Sequence, residues 1–546
     1  MVRKTLFGIS EWRKGVRIDI RWYALLAGIM IFGLFLSFLL YAGPNPFGDD
    51  ATYIWLSTQP LIGPPFILSN IFAYGFLRLL ILKASFIAMG YWSLPAILPN
   101  IVEYLILIFM TFLIGRRFGG QKTGIVAAFL AATAPFAVSN VTTVLPDIGT
   151  GMMLSISIYI FMRSMEDEHN VLLSFLFGLV AVLVLYMNEE GFATLLLSWL
   201  YVIFMLMANL LSGKVSRKRR AISMQRRSPA EPDPRYVLFA LLGTAIGLFI
   251  YFLVFYMALG APFYVFSHRT FGYASISQLD EIRILFFSNF LAGNQLNNLL
   301  YPLGPISILA IAGTVILLAR GNRRDNFLSF LTWGFVVIIV FGTTVFSGRY
   351  ESFPVSTRFF NIVLAPIAVL GAYALTSAYG FLKRLIGTDD EPAMLLIALL
   401  FIVILSSIPL YTMLQASNSQ IHDNAQTIYS IAAFIQKHVP NGTNATIYTH
   451  AYIGFNFVLP LFLEFAMGFS SNVHLYSINS SFINSSQSCN LLRKNGPSFL
   501  VVADDYAPAV VSQVNSEVES WLSTNCTATL LMQANQIYLY SLKSST

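Results

Sequence analysis

Residues 95–163 read PAILPNIVEYLILIFMTFLIGRRFGGQKTGIVAAFLAATAPFAVSNVTTVLPDIGTGMMLSISIYIFMR, and this stretch decides the fold. It holds three apolar runs, Pro95–Gly115, Gly124–Val138 and Ile148–Phe161. A basic turn with Arg116, Arg117 and Lys122 separates the first two, and a polar turn ending in Pro146-Asp147 separates the second from the third. Apolar helices of about 20 residues cross the hydrocarbon of a bilayer, and Lys and Arg stay on the cytoplasmic side of their short loops. The alternation therefore predicts consecutive crossings with the basic turn inside and Asp147 at an outer helix end.

The same pattern extends in both directions. Trp22–Ala42 follows a segment with Arg3, Lys4, Arg13, Lys14, Arg17 and Arg21, which predicts an uncleaved first crossing with a cytoplasmic N-terminus. Further crossings are expected at Val171–Met187, Gly191–Leu211, Tyr236–Leu259, Ile306–Leu318, Phe327–Phe346, Phe359–Tyr379 and Ala393–Leu414, about 11 in all. The stretch Phe66–Tyr91 is apolar but carries Arg78 and Lys83 between Pro64-Pro65 and Pro95. It is expected as interfacial helices within an outer loop, 43–94, with both cations reaching toward headgroups. On this topology the strong basic runs fall inside, including the 212–235 loop with Lys214, Arg217, Lys218, Arg219, Arg220, Arg226 and Arg227.

Composition agrees. The 546 residues are 56% hydrophobic and only 11% charged, against about 25% charged in ordinary soluble domains. A net charge of +7 reports topology and not a nucleic-acid partner, since the cations flank apolar runs. Odd parity puts residues 415–546 outside, where the sequons at Asn441, Asn444, Asn479, Asn484 and Asn525 and both cysteines, Cys489 and Cys526, also lie. The cysteines are a candidate disulfide, a free buried pair being the alternative. β-Rich runs at 445–448, 473–478, 499–503 and 536–542, with a helical pattern at 511–522, predict a small α/β domain. Asp504 and Asp505 at a strand end read as a turn before they read as a site. The expected fold class is thus a polytopic α-helical membrane protein, residues 1–414, followed by an extracytoplasmic α/β domain, residues 415–546.

With so few charges, the acids are informative. Asp49 and Asp50 follow the first crossing, Asp147 begins the fourth, and Glu189 and Glu190 precede the Gly191–Leu211 run. Only Glu103 falls within a crossing. Taken singly, such acids are first-turn residues favoured by the helix dipole. Together on one membrane face with His268, Arg269, Arg349, Glu351 and Arg358, they suggest a polar cavity. Carboxylates serve as general bases or divalent-cation ligands, and guanidinium groups match phosphate. That combination at a membrane surface points to group transfer from a lipid phosphate.

Several motifs carry a family resemblance. Gly48-Asp49-Asp50-Ala51-Thr52-Tyr53 resembles the acidic first-outer-loop signature of GT-C fold integral-membrane glycosyltransferases, and Gly63-Pro64-Pro65-Phe66 the Pro-Pro element after it. Gly115-Arg116-Arg117-Phe118-Gly119, Ala134-Pro135-Phe136 and Leu145-Pro146-Asp147, then Phe161-Met162-Arg163, are similar in order to the protein mannosyltransferase and aminoarabinose transferase branch. Thr357-Arg358-Phe359-Phe360 leading to Ala365-Pro366 resembles that branch's entry into a late crossing. The resemblance implies an inverting transferase using a sugar on polyprenyl or dolichyl phosphate at the outer face. The acceptor it implies is a protein, glycan or lipid. Asp49 then matches the catalytic acid, Asp50 its neighbour, Asp147 a second acidic site and Arg358 the phosphate-holding group, with Arg349 and Arg269 as further candidates. Asp49 and Asp147 are candidate ligands for Mg²⁺ or Mn²⁺.

The chain departs from the family pattern at Gly63, Ile97 and Glu189, where His, Arg and Lys are usual. It holds no Trp-Trp-Asp triplet, which argues against the oligosaccharyltransferase branch. The rival reading is a lipid or glycolipid transporter, which should show internal repeats and paired broken helices. A receptor whose outer domain binds ligand is a third, although so many crossings exceed the needs of an anchor.

Overall fold

The computed structural model describes residues 20–44, 49–59, 75–166, 171–188, 191–216, 234–263, 306–320, 326–341, 343–344, 351–352, 357–386, 390–439, 445–451, 463, 466, 473–477, 498–503, 527–534 and 537–543. The helices are α1 Ile20–Leu39, α2 Asp49–Thr58, α3 Phe76–Met89, α4 Ser93–Ala132, α5 Pro135–Asn140, α6 Asp147–Glu166, α7 Val171–Met187, α8 Gly191–Ser216, α9 Pro234–Leu259, α10 Ile306–Arg320 and α11 Asn326–Phe341. A short 3-10 helix, Thr357–Val363, leads into α12 Leu364–Ile386, and α13 is Asp390–His438.

Among the described residues four apolar helical stretches are long enough to cross a membrane: Ile20–Leu39, Ser93–Ala132, Arg235–Leu259 and Phe359–Arg384. α1 and α9 turn Ile31, Phe35, Leu238, Phe249 and Met257 outward, a surface that hydrocarbon solvates and water does not. The stretch Phe359–Arg384, by contrast, is buried over most of its length and forms the bundle's centre, packed on α4 and α10. The chain is a helical membrane protein.

Within α4 the backbone breaks at Gly119 and Gly120, where Gly120 adopts φ 84°. Only glycine takes that conformation at little steric cost, so the helix folds back as a hairpin with Arg116, Arg117 and Lys122 at its turn. Tyr104 closes the hairpin's open end by donating its hydroxyl to the Ala132 carbonyl at 2.9 Å. The expected run Gly124–Val138 thus ends early, at Ala132, and Pro135 opens the six-residue α5. Proline has no N–H to donate and fits a first helical turn, which accounts for the division.

The bundle has an acidic end and a basic end. At the acidic end lie the start of α4, α5 and the start of α6. At the basic end Lys122 meets Tyr379, and Arg117 lies over the Tyr159 ring. Residues of the basic turn and of the α12 terminus, Lys383 and Arg384, therefore gather at one end, as the sequence pattern anticipates.

α13 runs unbroken through residues 414 and 415 and projects beyond the acidic end. Asn418 donates to the Leu40 carbonyl there, and a 2.8 Å hydrogen bond joins Ser93 to Tyr429. Burial pushes the Tyr429 hydroxyl up to about 12, so this contact stays neutral. Further along, Ile428, Ile431, Ala432 and Ile435 form a buried stripe at helical spacing. The stripe shares a core with Ile447, Phe499, Val501 and Leu539 of a five-stranded sheet.

The sheet's strands are β3 Ala445–Ala451, β4 Val473–Ser477, β5 Ser498–Ala503, β6 Thr527–Ala534 and β7 Ile537–Lys543, in the order β4-β3-β5-β7-β6. β4, β3 and β5 are parallel, while β7 and β6 run antiparallel. In this register Ile447 pairs with Phe499 and Val501 with Leu539, so the four share one sheet face, and α13 packs on β7 of that sheet. Strand β6 is not anticipated by the sequence pattern. Its Leu530 and Leu531 are adjacent and exposed, which breaks the period-2 alternation that marks a half-buried strand. A separate two-residue pairing joins β1 Thr343–Thr344 to β2 Glu351–Ser352.

Candidate active site

Asp147 opens α6, and Asp49 and Asp50 open α2, all in first turns where the helix dipole favours a carboxylate. Asp147 and Asp50 are buried, 1% and 2% exposed, and Asp49 is partly exposed. Of these, Asp49 is the one with appreciable solvent-accessible surface.

The two acidic segments are linked through α3. α2 packs on α3, and Lys83 of α3 donates to the Gln59 carbonyl just past the end of α2 at 2.7 Å. At the other end of α3, Arg78 donates from Nε and Nη2 to the Val144 carbonyl at 3.2 and 2.9 Å, three residues before Asp147. Its Nη1 donates to both Glu103 oxygens at 3.2 and 3.1 Å. Arg78 is 0% exposed and Glu103 4%. The expectation that Arg78 reaches toward lipid headgroups is therefore corrected. A guanidinium that meets a carboxylate and a carbonyl with shared forks is satisfied inside, and nothing draws it outward.

The Asp147 turn is held from other sides as well. Asn100 donates to the Thr143 carbonyl at 2.8 Å and the Asn140 carbonyl at 3.3 Å. Thr142 accepts from the Ala42 backbone N–H at 3.1 Å. Gly149 lies so close to Glu103 that a Cβ there would stand 2.7 Å from its Oε2 and 2.2 Å from the Met187 methyl. The turn before α6 is thus fixed by side chains of α3 and α4.

The 3-10 helix that contains Arg358 packs on α6 and α5. A Cβ at Gly151 would stand 2.5 Å from the Asn361 carbonyl, and Gly151 lies one turn from Asp147 on the same face of α6. Position 358 is one 3-10 turn from Asn361. The backbone at Arg358 is thereby brought close to the Asp147 end of α6. Asn361 is fully buried, and among the described residues neither polar atom of its side chain has a hydrogen-bond partner.

Glu351 lies in β2. Glu189, Glu190, His268, Arg269 and Arg349 lie outside the described residues, as do Cys489, Cys526, Asp504, Asp505 and the sequon asparagines Asn441, Asn444, Asn479, Asn484 and Asn525. Among the described residues no three His, Cys, Asp or Glu side chains come together to hold a metal. Sequence reasoning missed the Arg78–Glu103 pair and Asn361. A signal for the pair was present, since two opposite charges each interrupting an apolar run are expected to find one another. Asn361 has no such signal within its apolar surroundings.

The geometry defines a helical membrane protein with buried acids at one end of its bundle and an arginine-bearing 3-10 helix beside them. No protein-family model matches the chain, and no curated protein matches it by sequence. Solved structures do match. ArnT from Cupriavidus metallidurans, an aminoarabinose transferase, in the apo state superposes with TM-score 0.57 at 13% identity, covering 96% of this chain and 98% of that one. The same protein bound to undecaprenyl phosphate gives 0.56 at 12% identity, over 96% and 99%. The oligosaccharyltransferase of Archaeoglobus fulgidus, in complex with Zn and sulfate, gives 0.50 at 14% identity, over 88% of this chain and 68% of that one. The chain has the fold of these GT-C glycosyltransferases.

Proposed function

We propose that the protein is an inverting glycosyltransferase that moves a sugar from a polyprenyl- or dolichyl-phosphate donor to an acceptor at the outer membrane face. The observation that carries this reading is that acids open both α2 and α6 and that the Arg358 helix packs on α6, within a fold shared by lipid-phosphate-binding ArnT. Asp49 takes the proton of the acceptor hydroxyl as general base. The acceptor oxygen bonds to the anomeric carbon as the carbon–oxygen bond to phosphate breaks, and the lipid phosphate leaves with the electron pair. Attack opposite the leaving group inverts the anomeric centre.

Arg358, with Arg349 and Arg269, holds the departing phosphate, where a guanidinium fork fits two non-bridging oxygens. Asp147 is the second acid, and Asp50 supports Asp49. Helix α1, the two arms of the α4 hairpin, α6–α12 and the first half of α13 are read as the eleven crossings, an arrangement that keeps the basic turns cytoplasmic and the sheet outside. His268, Glu189, Glu190 and Glu351 are the further polar candidates for the substrate site in this reading. Asp49 and Asp147 are oxygen donors of the kind Mg²⁺ and Mn²⁺ accept. Among the described residues no group of three His, Cys, Asp or Glu side chains gathers around either of them.

The test is release of lipid phosphate from labelled dolichyl-phosphate mannose and undecaprenyl-phosphate aminoarabinose in membranes holding the full chain. Release by the wild type, lost in Asp49→Asn, is expected, and a chelator arm reads metal dependence. No release from either donor by folded protein would turn the assignment toward lipid translocation.

A further inference from the structure

Helix α3 uses both of its cations on backbone carbonyls, and each carbonyl belongs to a segment bearing an acid of the proposed reaction. Lys83 holds the Gln59 carbonyl at the end of the helix that Asp49 and Asp50 begin. Arg78 holds the Val144 carbonyl, three residues before Asp147, with two N–H groups. Arg78 is itself oriented by Glu103, which takes Nη1 on both carboxylate oxygens and leaves the Nε–Nη2 edge facing Val144. The same carboxylate abuts Gly149, so Glu103 touches the first turn of α6 directly as well.

Stability alone gives a poor account of this arrangement. Two charges removed from water cost several kcal/mol each, and apolar pairs of similar volume are often as stable or more so. Arg78 and Glu103 are nevertheless fully desolvated in the interior of a membrane protein. The pair offers what an apolar pair lacks, which is a directed double hydrogen bond on one carbonyl. That bond fixes where the turn before Asp147 stands relative to α3, whose Lys83 holds the far end of α2.

We propose that α3 is a strut that sets the spacing between the Asp49 and Asp147 segments, with Arg78, Glu103 and Lys83 as positioning residues. The proposal rests on the transferase reading above for its catalytic consequence and not for its geometric one. Arg78 touches no reacting atom and acts through the Val144 backbone. A catalytic geometry displaced by about 1 Å loses about 100-fold in rate. The loss falls on kcat, because donor binding is assigned to groups on other elements.

The test compares the full chain with the double variant Arg78→Met/Glu103→Met in membranes. Thermal stability, kcat and donor KM with labelled dolichyl-phosphate mannose and undecaprenyl-phosphate aminoarabinose, and amide hydrogen exchange of residues 143–150 are measured together. Near-native stability with kcat down about 100-fold, little change in KM and faster exchange at 145–149 is the expected result. A stable double variant with undiminished kcat would overturn the strut. Should the double variant fail to fold, Arg78→Lys decides the matter, because a lysine keeps the charge for Glu103 but presents a single point donor. Its kcat is expected to fall with folding intact, and an unchanged kcat rejects the proposal. Where the wild type releases no lipid phosphate from either donor, the transferase reading fails separately. Exchange then judges the strut, faster at 145–149 in support and unchanged against.

Discussion

Arg78 and Lys122 sit at opposite ends of the same bundle, and the protein treats them in opposite ways. Arg78 is fully buried, tied to Glu103 and to the Val144 carbonyl. Lys122 is exposed, lies 4.5 Å from the centroid of the Tyr379 ring and donates to that tyrosine's hydroxyl at 3.2 Å. Its neighbours follow suit. Arg117 covers the Tyr159 ring at 5.4 Å, and Arg116 donates to the Tyr23 hydroxyl at 3.0 Å. At the basic end, cations meet amphipathic aromatic side chains and stay within reach of water, an arrangement that tolerates exchange. At the acidic end, a cation is locked by direction as well as charge. The difference teaches that charge at one end marks topology and at the other sets geometry.

The largest test of that division is at the proposed base. Asp49→Asn should lower transfer by about 10²–10⁴-fold, the range for removing a general base, with the protein still folded. Retained transfer would move the base elsewhere at the acidic end. Next, Arg78→Met alone strands Glu103 as a buried unpaired carboxylate, and should cost about 3–5 kcal/mol in thermal or denaturant unfolding. A loss below about 1 kcal/mol would place Arg78 with the exchangeable surface cations instead.

Arg358→Ala should reduce kcat/KM for a lipid-phosphate donor by roughly 10- to 100-fold, equivalent to a charged hydrogen bond of about 1.5–3 kcal/mol. Equal kinetics in wild type and variant would remove Arg358 from the phosphate. Gly149→Ala forces a methyl against Glu103 and Met187, and about 1–3 kcal/mol of destabilisation is expected from overpacking. Smallest of all, Lys122→Ala should cost about 0.5–1 kcal/mol and leave kcat unchanged, since it loses one exposed cation–π contact. A large effect on kcat from Lys122→Ala would erase the contrast between the two ends.

Much of the helical order was legible because a bilayer imposes long apolar runs. Val171–Met187 is a helix with the expected ends, and α6 and α9 differ from expectation only by a few terminal residues. Ends were less legible where backbone chemistry intervenes, as at Ala132 and Pro135. The acids of the candidate site were also visible, because Asp49, Asp50 and Asp147 stand out in a chain so poor in charge. Their partners were not. Arg78 and Glu103 are 25 residues apart in sequence, and Arg78 by itself reads as an interfacial cation. Asn361 is polar but flanked by Phe359, Phe360, Ile362 and Val363, so its burial beside α6 is invisible until the helices pack.

The sequence by itself determined that this is a multi-helix membrane protein, which turns are basic, and which few acids begin helices, because hydropathy and charge are local properties that solvent and bilayer sort residue by residue. Only the tertiary structure decided which charges meet. It turned Arg78 inward onto Glu103 and Val144, set the Arg358 helix against α6, and carried α13 on into the sheet. Those outcomes depend on side chains from distant segments satisfying one another where water is excluded, and a buried charge takes its place from its partner and not from its neighbours in the chain.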